Sequence, residues 1–478
     1  MLNPIPAPVS REGHVVNAAP DNEGSVMKQI RSKQARIAVV GMGHVGLPTA
    51  LGLAAQGWSV FGADSYLPLI SLLRAGKPPF YEPGLEDLLL EHLGKRFFPV
   101  DNLNEAIREA TVVFLCVGTP QKSSGEADLS QVETAARTIA QNLNGYKLIV
   151  EKSTVPAITA RWIDRTIRRF ARNGCQGAGG VDFDVASNPE FLQEGVALKN
   201  IGQPERVVCG VDSQRARAIL GEIYGSVRCP LLMTGLSTAE VIKHAANSFL
   251  SMKISFINMV ADLSDAIGAD VTEVAAGIGM DPRIGHRFLQ AGIGFGGYCF
   301  PKDLRAFIFL AEEYGIDFSL LKEVEAINEG RVELFVKKVR SALWVLQGKT
   351  IAVLGLAFKP GTDDTRESPS LRVVSALLKE GAVLRLHDPK AMPLLRKALV
   401  PVEGRLTYSE SPYAAAAGAQ AVLILTDWPD YKYLDWQRIH REMDLPLLMD
   451  GRNLLDPETM RRVGFEYISI GRPRAGGR

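Results

Sequence analysis

Cysteine is scarce in this chain. Five cysteines occur in 478 residues (Cys116, Cys175, Cys209, Cys229 and Cys299), odd in number and without a CxxC pair. That pattern excludes a disulfide framework and a cysteine-rich zinc cluster, so no metal is expected and a reducing cytoplasm is the natural compartment. No apolar run reaches the roughly 18 residues that would span a bilayer, so no membrane partner is expected. Charge of one sign is also missing. Lys and Arg number 54 against 53 Asp and Glu, a formal net charge of +1, which leaves no basic footprint for nucleic acid. An anionic ligand would have to be held by local charges. The first 34 residues lack the apolar core of a secretory leader and read as a disordered extension.

What is present is alternation. Short apolar runs at 36–40, 59–62, 111–117, 148–151, 183–187 and 206–210 are separated by helix-compatible segments. This predicts a parallel sheet with helices on both faces over 35–228. From 229 to 345 the character turns helical. Ser237 and Glu240 have the spacing of a capping box, opening a stretch without proline or glycine to Ile267. About thirty helical residues would extend about 45 Å, enough to join domains and offer a dimer surface. Strand pattern returns at 350–354, 383–386 and 421–425, so 346–478 reads as a second alternating domain. The expected fold is therefore α/β, two Rossmann-like doubly wound domains joined by a central helical domain with one long helix.

Gly41-Met42-Gly43-His44-Val45-Gly46 follows the first strand and opens a helical pattern. In such a turn the first glycine bends the chain, the second admits a pyrophosphate and the third lets helix and strand pack. Anionic phosphates are favoured at the helix N-terminus. Asp64 ends the next strand, 64 − 46 = 18 residues beyond Gly46, where a carboxylate can accept from a ribose 2′-hydroxyl. That carboxylate would repel a 2′-phosphate, so NAD is preferred to NADP. Gly41, Gly43, His44, Val45, Gly46 and Asp64 are the expected cofactor residues.

Near the middle of the chain, Cys299 follows a glycine cluster, with Lys302 and Asp303 just beyond. A lysine nearby favours the nucleophilic thiolate. Lys243 and Asn247 lie four apart on the long helix and so share a face. Glu190 and Glu194 are four apart in another segment.

Together these motifs resemble the UDP-glucose/GDP-mannose dehydrogenase family, the nucleotide-sugar 6-dehydrogenases, from about Arg36 to Arg472. Further matching stretches are Tyr81-Glu82-Pro83-Gly84-Leu85, Cys116-Val117-Gly118-Thr119-Pro120, Glu151-Lys152-Ser153-Thr154-Val155-Pro156 and Asp450-Gly451-Arg452. The resemblance implies a four-electron oxidation of a sugar C6 alcohol to a carboxylate with two NAD. It implies Cys299 as the nucleophile that makes the aldehyde oxidisable through a thiohemiacetal and a thioester. It implies Lys243 and Asn247 on the developing oxyanion, Asp303 beside them as partner of a water or of Lys243, and Glu190 with Thr154 on the hydrolytic water. Thr119, Thr154, Glu194, Lys302 and Arg366 are implied at the cofactor. For the substrate it implies Glu190, Phe191, Leu192, Gln193, Glu194, Lys243, Asn247, Gly296, Lys359 and Arg452. A loop of Phe288, Leu289, Gln290, Ala291 and Gly292 would close over the sugar, with Arg283 reaching in from a partner subunit, hence at least a homodimer.

The Cys-Phe-Pro-Lys-Asp run favours the branch that oxidises UDP-glucose to UDP-glucuronate, in surface polysaccharide synthesis. Tyr298 stands where that branch usually has serine, and Leu69 where relatives often have a basic ribose contact. GDP-mannose and a UDP-N-acetylhexosamine stay open as the substrate, and a non-catalytic NAD-binding scaffold is the reading from another class.

Overall fold

The computed structural model describes residues 21–171, 182–399, 402 and 404–473. Two sheets dominate it. The first contains β1 (Arg36–Val40), β2 (Ser59–Ala63), β3 (Phe97–Val100), β4 (Val112–Leu115), β5 (Lys147–Glu151), β6 (Phe183–Ser187), β7 (Val207–Val211) and β8 (Leu231–Thr234). Their order is β3-β2-β1-β4-β5-β6-β7-β8. Ile37, Ala38 and Val39 are fully buried, as both faces of a parallel sheet require. The order reverses between β1 and β4, which opens a crevice at the carboxyl ends of the strands.

One pair departs from the expected parallel sheet, because β6 and β7 are antiparallel. A parallel return needs a crossover helix packed along the sheet. Here the connection holds only a six-residue helix, Ala197–Gly202. The chain therefore turns back beside β6, and the segment with Glu190 and Glu194 becomes a loop at the sheet's end.

The second sheet is wholly parallel. It holds β9 (Thr350–Leu354), β10 (Val383–His387), β11 (Leu406–Tyr408), β12 (Ala421–Ile424), β13 (Leu447–Asp450) and β14 (Glu466–Ser469), in the order β11-β10-β9-β12-β13-β14. Asp388, just past β10, accepts from the backbone N–H of Leu356, Ala357, Lys390 and Ala391 and from Trp428 Nε1. It ties the turn after β9 as Asp64 ties the turn after β1, but its oxygens are fully engaged and buried.

Between the sheets lies the 32-residue helix Leu236–Ile267. Helices Cys299–Glu313 and Ser319–Leu343 pack against it. Its buried residues include an uncommon polar group, Glu240, Lys243, His244 and Asn247. The expected capping box does not form. Gly235 is the N-cap, without a side-chain cap bond, and Ser237 and Glu240 lie inside the helix. Glu240 instead accepts from the backbone N–H of Ile158 at 2.7 Å and Ala160 at 2.8 Å, capping helix Thr159–Ala171. A buried carboxylate satisfies orphan donors wherever they lie, and the nearest were on another element.

The expectation of disorder over 1–34 is corrected in part. Asp21–Arg31 is a helix that buries Val26 and Ile30 against the first sheet's core, with Arg31 Nε 3.0 Å from Glu222. Apolar residues four apart give it one face to bury. Residues 1–20 of that expected extension, like Cys175, lie outside the described residues.

Glu240→Ala would strip two buried N–H groups of their acceptor. The expected loss is about 2 kcal/mol of stability, read as a lower denaturation midpoint at unchanged slope.

Candidate active site

Four strand ends build one side of the site. The turn after β1 places Gly41 at φ +93°, where a Cβ would sit 2.5 Å from the Cys116 carbonyl oxygen. A Cβ on Gly46 would sit 1.7 Å from the Gly41 oxygen, so helix Gly46–Ala55 can approach only as glycine. Gly43 meets nothing within 4 Å and faces open space. That helix has no side-chain cap at its N-terminus, leaving N–H groups free for an anion. The Asp64 carboxylate is fixed by the Met42 and Tyr66 N–H groups, each at 2.8 Å.

These residues line a cavity of about 470 Å³. Gly41, Gly43, His44, Val45, Asp64, Thr119, Thr154, Glu194, Lys302 and Arg366 border it, as expected of the cofactor set. Gly46 lies buried behind the turn. Leu69 borders it as well. An open cradle at Gly43, uncapped helix donors and a preorganised carboxylate fit an NAD pyrophosphate and ribose.

A second cavity of about 410 Å³ lies on the other side of the loop after β6. Glu190, Phe191, Leu192, Gln193, Lys243, Asn247, Phe288 and Cys299 line it. Glu190, Leu192 and Cys299 border both cavities. The cysteine is the first residue of helix Cys299–Glu313, at the wall between the two spaces.

Buried charges surround it in pairs. Lys243 Nζ is 3.0 Å from Glu190 Oε1. Lys302 Nζ is 2.7 Å from Asp303 Oδ1, and Asn247 Nδ2 donates to Asp303 Oδ2 at 2.7 Å. Burial works against the Lys243 charge, but Glu190 and Asp303 outweigh it and raise its pKa. Asp303, although buried, is held below the usual carboxylate range by Lys302, His244 and Lys243. The expected thiolate does not result. Burial, with Glu190 and Asp303, pushes the Cys299 thiol up to about 12, against the pull of Lys243. Lys302 and Cys299 do act on each other, but Asp303 beside the lysine offsets that pull and itself raises the thiol.

Loops are tied down by bonds from elsewhere. Glu82 accepts from Gly195 N–H at 2.6 Å and Ala197 N–H at 2.7 Å, which explains a carboxylate in the Tyr81-Glu82-Pro83 stretch. Thr119 Oγ1 donates to the Thr154 carbonyl at 2.9 Å. His244 lies between the Val155 carbonyl at 2.9 Å and the Asp303 carbonyl at 3.3 Å, joining the Thr154 loop to the cysteine helix. From the second sheet domain, Arg366 forks onto Asp364 at 2.7–3.0 Å and lies 3.6 Å from Glu194. Burial and Asp364 push Glu194 up to about 8, while burial and Arg366 push His44 down to about 4. His44, Glu194 and Asp364 bring their ligand atoms within 4.8 Å of one another, and Arg366 already answers the carboxylate charge there.

Other expected residues are not brought to either cavity. Arg283 is exposed and pairs with Asp281 beside it. Leu289, Gln290, Ala291 and Arg452 line a separate space of about 260 Å³. Arg452 donates to the carbonyls of Leu425 and Gly294 at 2.8 Å, while its buried Nη2 lacks a partner. Gly292 packs on the Gly451 carbonyl and Gly296 on the backbone of Glu367. Lys359 borders neither main cavity, but burial lowers its pKa while Glu194 and Cys299 act to raise it. Two residues given no role from sequence do line the second cavity. Half-buried Lys152 donates to Asn188 Oδ1 at 3.1 Å, and the Arg206 guanidinium lies 4.0 Å from the Phe191 ring centroid. Lys152 directly follows β5, and a carboxyl strand end was the signal that could have found it.

A dinucleotide cradle that shares one wall with a second cavity fits a nicotinamide-dependent dehydrogenase, with a thiol in that shared wall. The family domains match in the same order along the chain. Residues 35–228 match the UDP-glucose/GDP-mannose dehydrogenase family NAD binding domain, 237–330 its central domain and 352–457 its UDP binding domain. The chain belongs to this family and is an NAD-dependent oxidoreductase. It is 42% identical to UDP-glucose 6-dehydrogenase TuaD of Bacillus subtilis, over 92% of this chain and 94% of that one. Among solved structures it is similar to a UDP-glucose dehydrogenase from Pyrobaculum islandicum, with TM-score 0.84 and 38% identity over 92% of this chain and 98% of that one. A UDP-D-ManNAc dehydrogenase from Pyrococcus horikoshii matches at TM-score 0.80 and 31% identity, over 92% of this chain and 100% of that one.

Gly43→Ala and Gly46→Ala separate binding from folding. Gly43→Ala should leave the melting temperature unchanged but weaken NAD about tenfold or more by calorimetry, because the methyl fills the phosphate cradle. Gly46→Ala should lower the melting temperature, because it collides with backbone.

Proposed function

We propose that this protein oxidises the C6 alcohol of UDP-glucose to the carboxylate of UDP-glucuronate. The observation that carries the reading is the shared wall of the two cavities, where Cys299 and Glu190 reach both. Bound NAD supplies the hydride acceptor, one equivalent for each oxidation.

The chain's own residues supply the rest. Lys243 and Asn247 present N–H donors to the C6 oxygen, a preorganised stabilisation of negative charge in a dry site. In the second oxidation Cys299 Sγ bonds to the aldehyde carbon, and the thiol proton passes to the former carbonyl oxygen, giving a thiohemiacetal. Loss of hydride, with the hydroxyl proton released to water, leaves a thioester. Water then adds to that carbon, Glu190 takes its proton, and the carbon–sulfur bond breaks, the leaving sulfur taking that proton back from Glu190 to return the thiol. Thr154 orients the water from the loop that Thr119 and His244 hold. A thiol kept protonated by its surroundings is protected from adventitious oxidation and is deprotonated only as it attacks.

Greater identity to UDP-glucose enzymes than to the UDP-D-ManNAc enzyme, and the Cys-Phe-Pro-Lys-Asp run, favour glucose over the rival sugars. We extend the reading to a homodimer in the cytoplasm. Phe249, Phe256, Met259, Leu263 and Ile267 recur along one exposed face of the long helix, an apolar stripe suited to a second copy. Exposed Arg283, paired among the described residues only with neighbouring Asp281, lies at the surface where a neighbouring subunit can meet it. No helix among the described residues is long and apolar enough to cross a membrane.

Steady-state NAD reduction with UDP-glucose, GDP-mannose and a UDP-N-acetylhexosamine tests the substrate, and failure with UDP-glucose overturns the choice. Cys299→Ser is expected to lower uronate formation at least about a thousand-fold and to hold the sugar at the aldehyde level. Normal uronate production by that variant would remove the cysteine from the mechanism.

A further inference from the structure

Tyr298 stands beside the reactive cysteine, where a serine is usual in the branch that oxidises UDP-glucose. Its place in the sequence made it a candidate for reading the sugar. The structure puts it elsewhere. Tyr298 lines the cofactor cavity, with His44, Glu194, Lys302 and Arg366, and is not among the residues lining the substrate cavity. The backbone turns between the two neighbours. Gly297 is at φ +82°, where a Cβ would sit 2.6 Å from the Phe358 ring, and Tyr298 then enters the helix at φ −68° as its N-cap. Cys299 reaches both spaces and its predecessor only one.

The tyrosine ring is placed between cations. The Arg366 guanidinium carbon lies 4.5 Å from the ring centroid and Lys302 Nζ lies 5.5 Å away. Both cations are otherwise anchored, Arg366 on Asp364 and Lys302 on Asp303. A ring face against a guanidinium is attractive and fixes the plane of the cation. Arg366 comes from the segment after β9 and Tyr298 from the central helical region, so the contact also joins two domains at the cavity edge. The hydroxyl has no hydrogen-bond partner among the described residues, and the side chain is only partly buried. A polar tip without a protein partner at a cavity edge is free to meet a ligand or water.

We infer that Tyr298 is a cofactor-positioning residue: its ring walls the cofactor cavity beside Cys299 and holds Arg366 over that cavity, so that its departure from the usual serine tunes NAD binding and not the choice of sugar. The inference rests on the family's NAD site; only its sugar arm rests on the substrate reading above.

The test pairs three variants. Tyr298→Ser and Tyr298→Leu remove the aromatic face, and Tyr298→Phe keeps it. Calorimetric titration with NAD alone, without any sugar, should give a Kd roughly three- to thirty-fold higher for Ser and Leu and near the unsubstituted value for Phe. The KM for NAD should follow the Kd. The ratio of kcat/KM for UDP-glucose to that for a UDP-N-acetylhexosamine should not move in any variant. An unchanged NAD Kd in the Ser and Leu variants, or a Ser variant that shifts the sugar ratio, overturns the inference. If Tyr298→Ser fails to fold, Tyr298→Leu against Tyr298→Phe decides the same question. The calorimetry needs no turnover, so its outcome holds even if the sugar substrate is another one.

Discussion

The ion pair between Glu190 and Lys243 is the constraint on which the site depends. Both groups are removed from water, one on the loop after β6 and the other on the long central helix. Two charges taken out of water at this depth are tolerable only with good geometry and further partners. That requirement fixes how the sheet domain meets the helix. It also fixes the cysteine, because the Lys302–Asp303 pair belongs to the cysteine's own helix and Asn247 bridges it back to the long one. Removing Glu190 would leave the buried Lys243 ammonium without its ion-pair partner.

The same pairs set the chemistry of the thiol. Lys243 and Lys302 near Cys299 are each matched to a carboxylate, which offsets the positive charge a free thiolate would need. The cost of burial then prevails and the thiol keeps its proton. A neutral thiol in the wall between cofactor and substrate can be charged only when something else in the site changes charge. Sequence proximity to a lysine could not reveal this, because it says nothing of which carboxylate that lysine has already met.

How much was legible follows the range of each interaction. The glycine turn after β1 is local, and its three glycines are required by contacts with the backbone at 41 and 116 and by the open cradle at 43, so it could be read from spacing. The long helix was legible from its freedom from proline and glycine. Its capping box was not, since Glu240 satisfied donors 80 and 82 residues away. The antiparallel turn at β7 was hidden because an apolar strand has no direction in its composition. Cys299, Glu190, Lys243 and Asn247 converge as expected, while Gln290 and Arg452 line another space and Arg283 lies on the surface. Tyr298 shows the limit best: adjacent to Cys299 in the chain, it borders only one of the two cavities that the cysteine joins.

The central claim is that a sugar carbon becomes bonded to Cys299 and that Glu190 serves its release by water. The direct measurement is the intact mass of Glu190→Gln protein, quenched during exposure to UDP-glucose and NAD, with peptide mapping of any adduct. The account predicts a covalent sugar-nucleotide adduct that accumulates on Cys299 and is absent without NAD. No adduct, or an adduct on another residue, would contradict it.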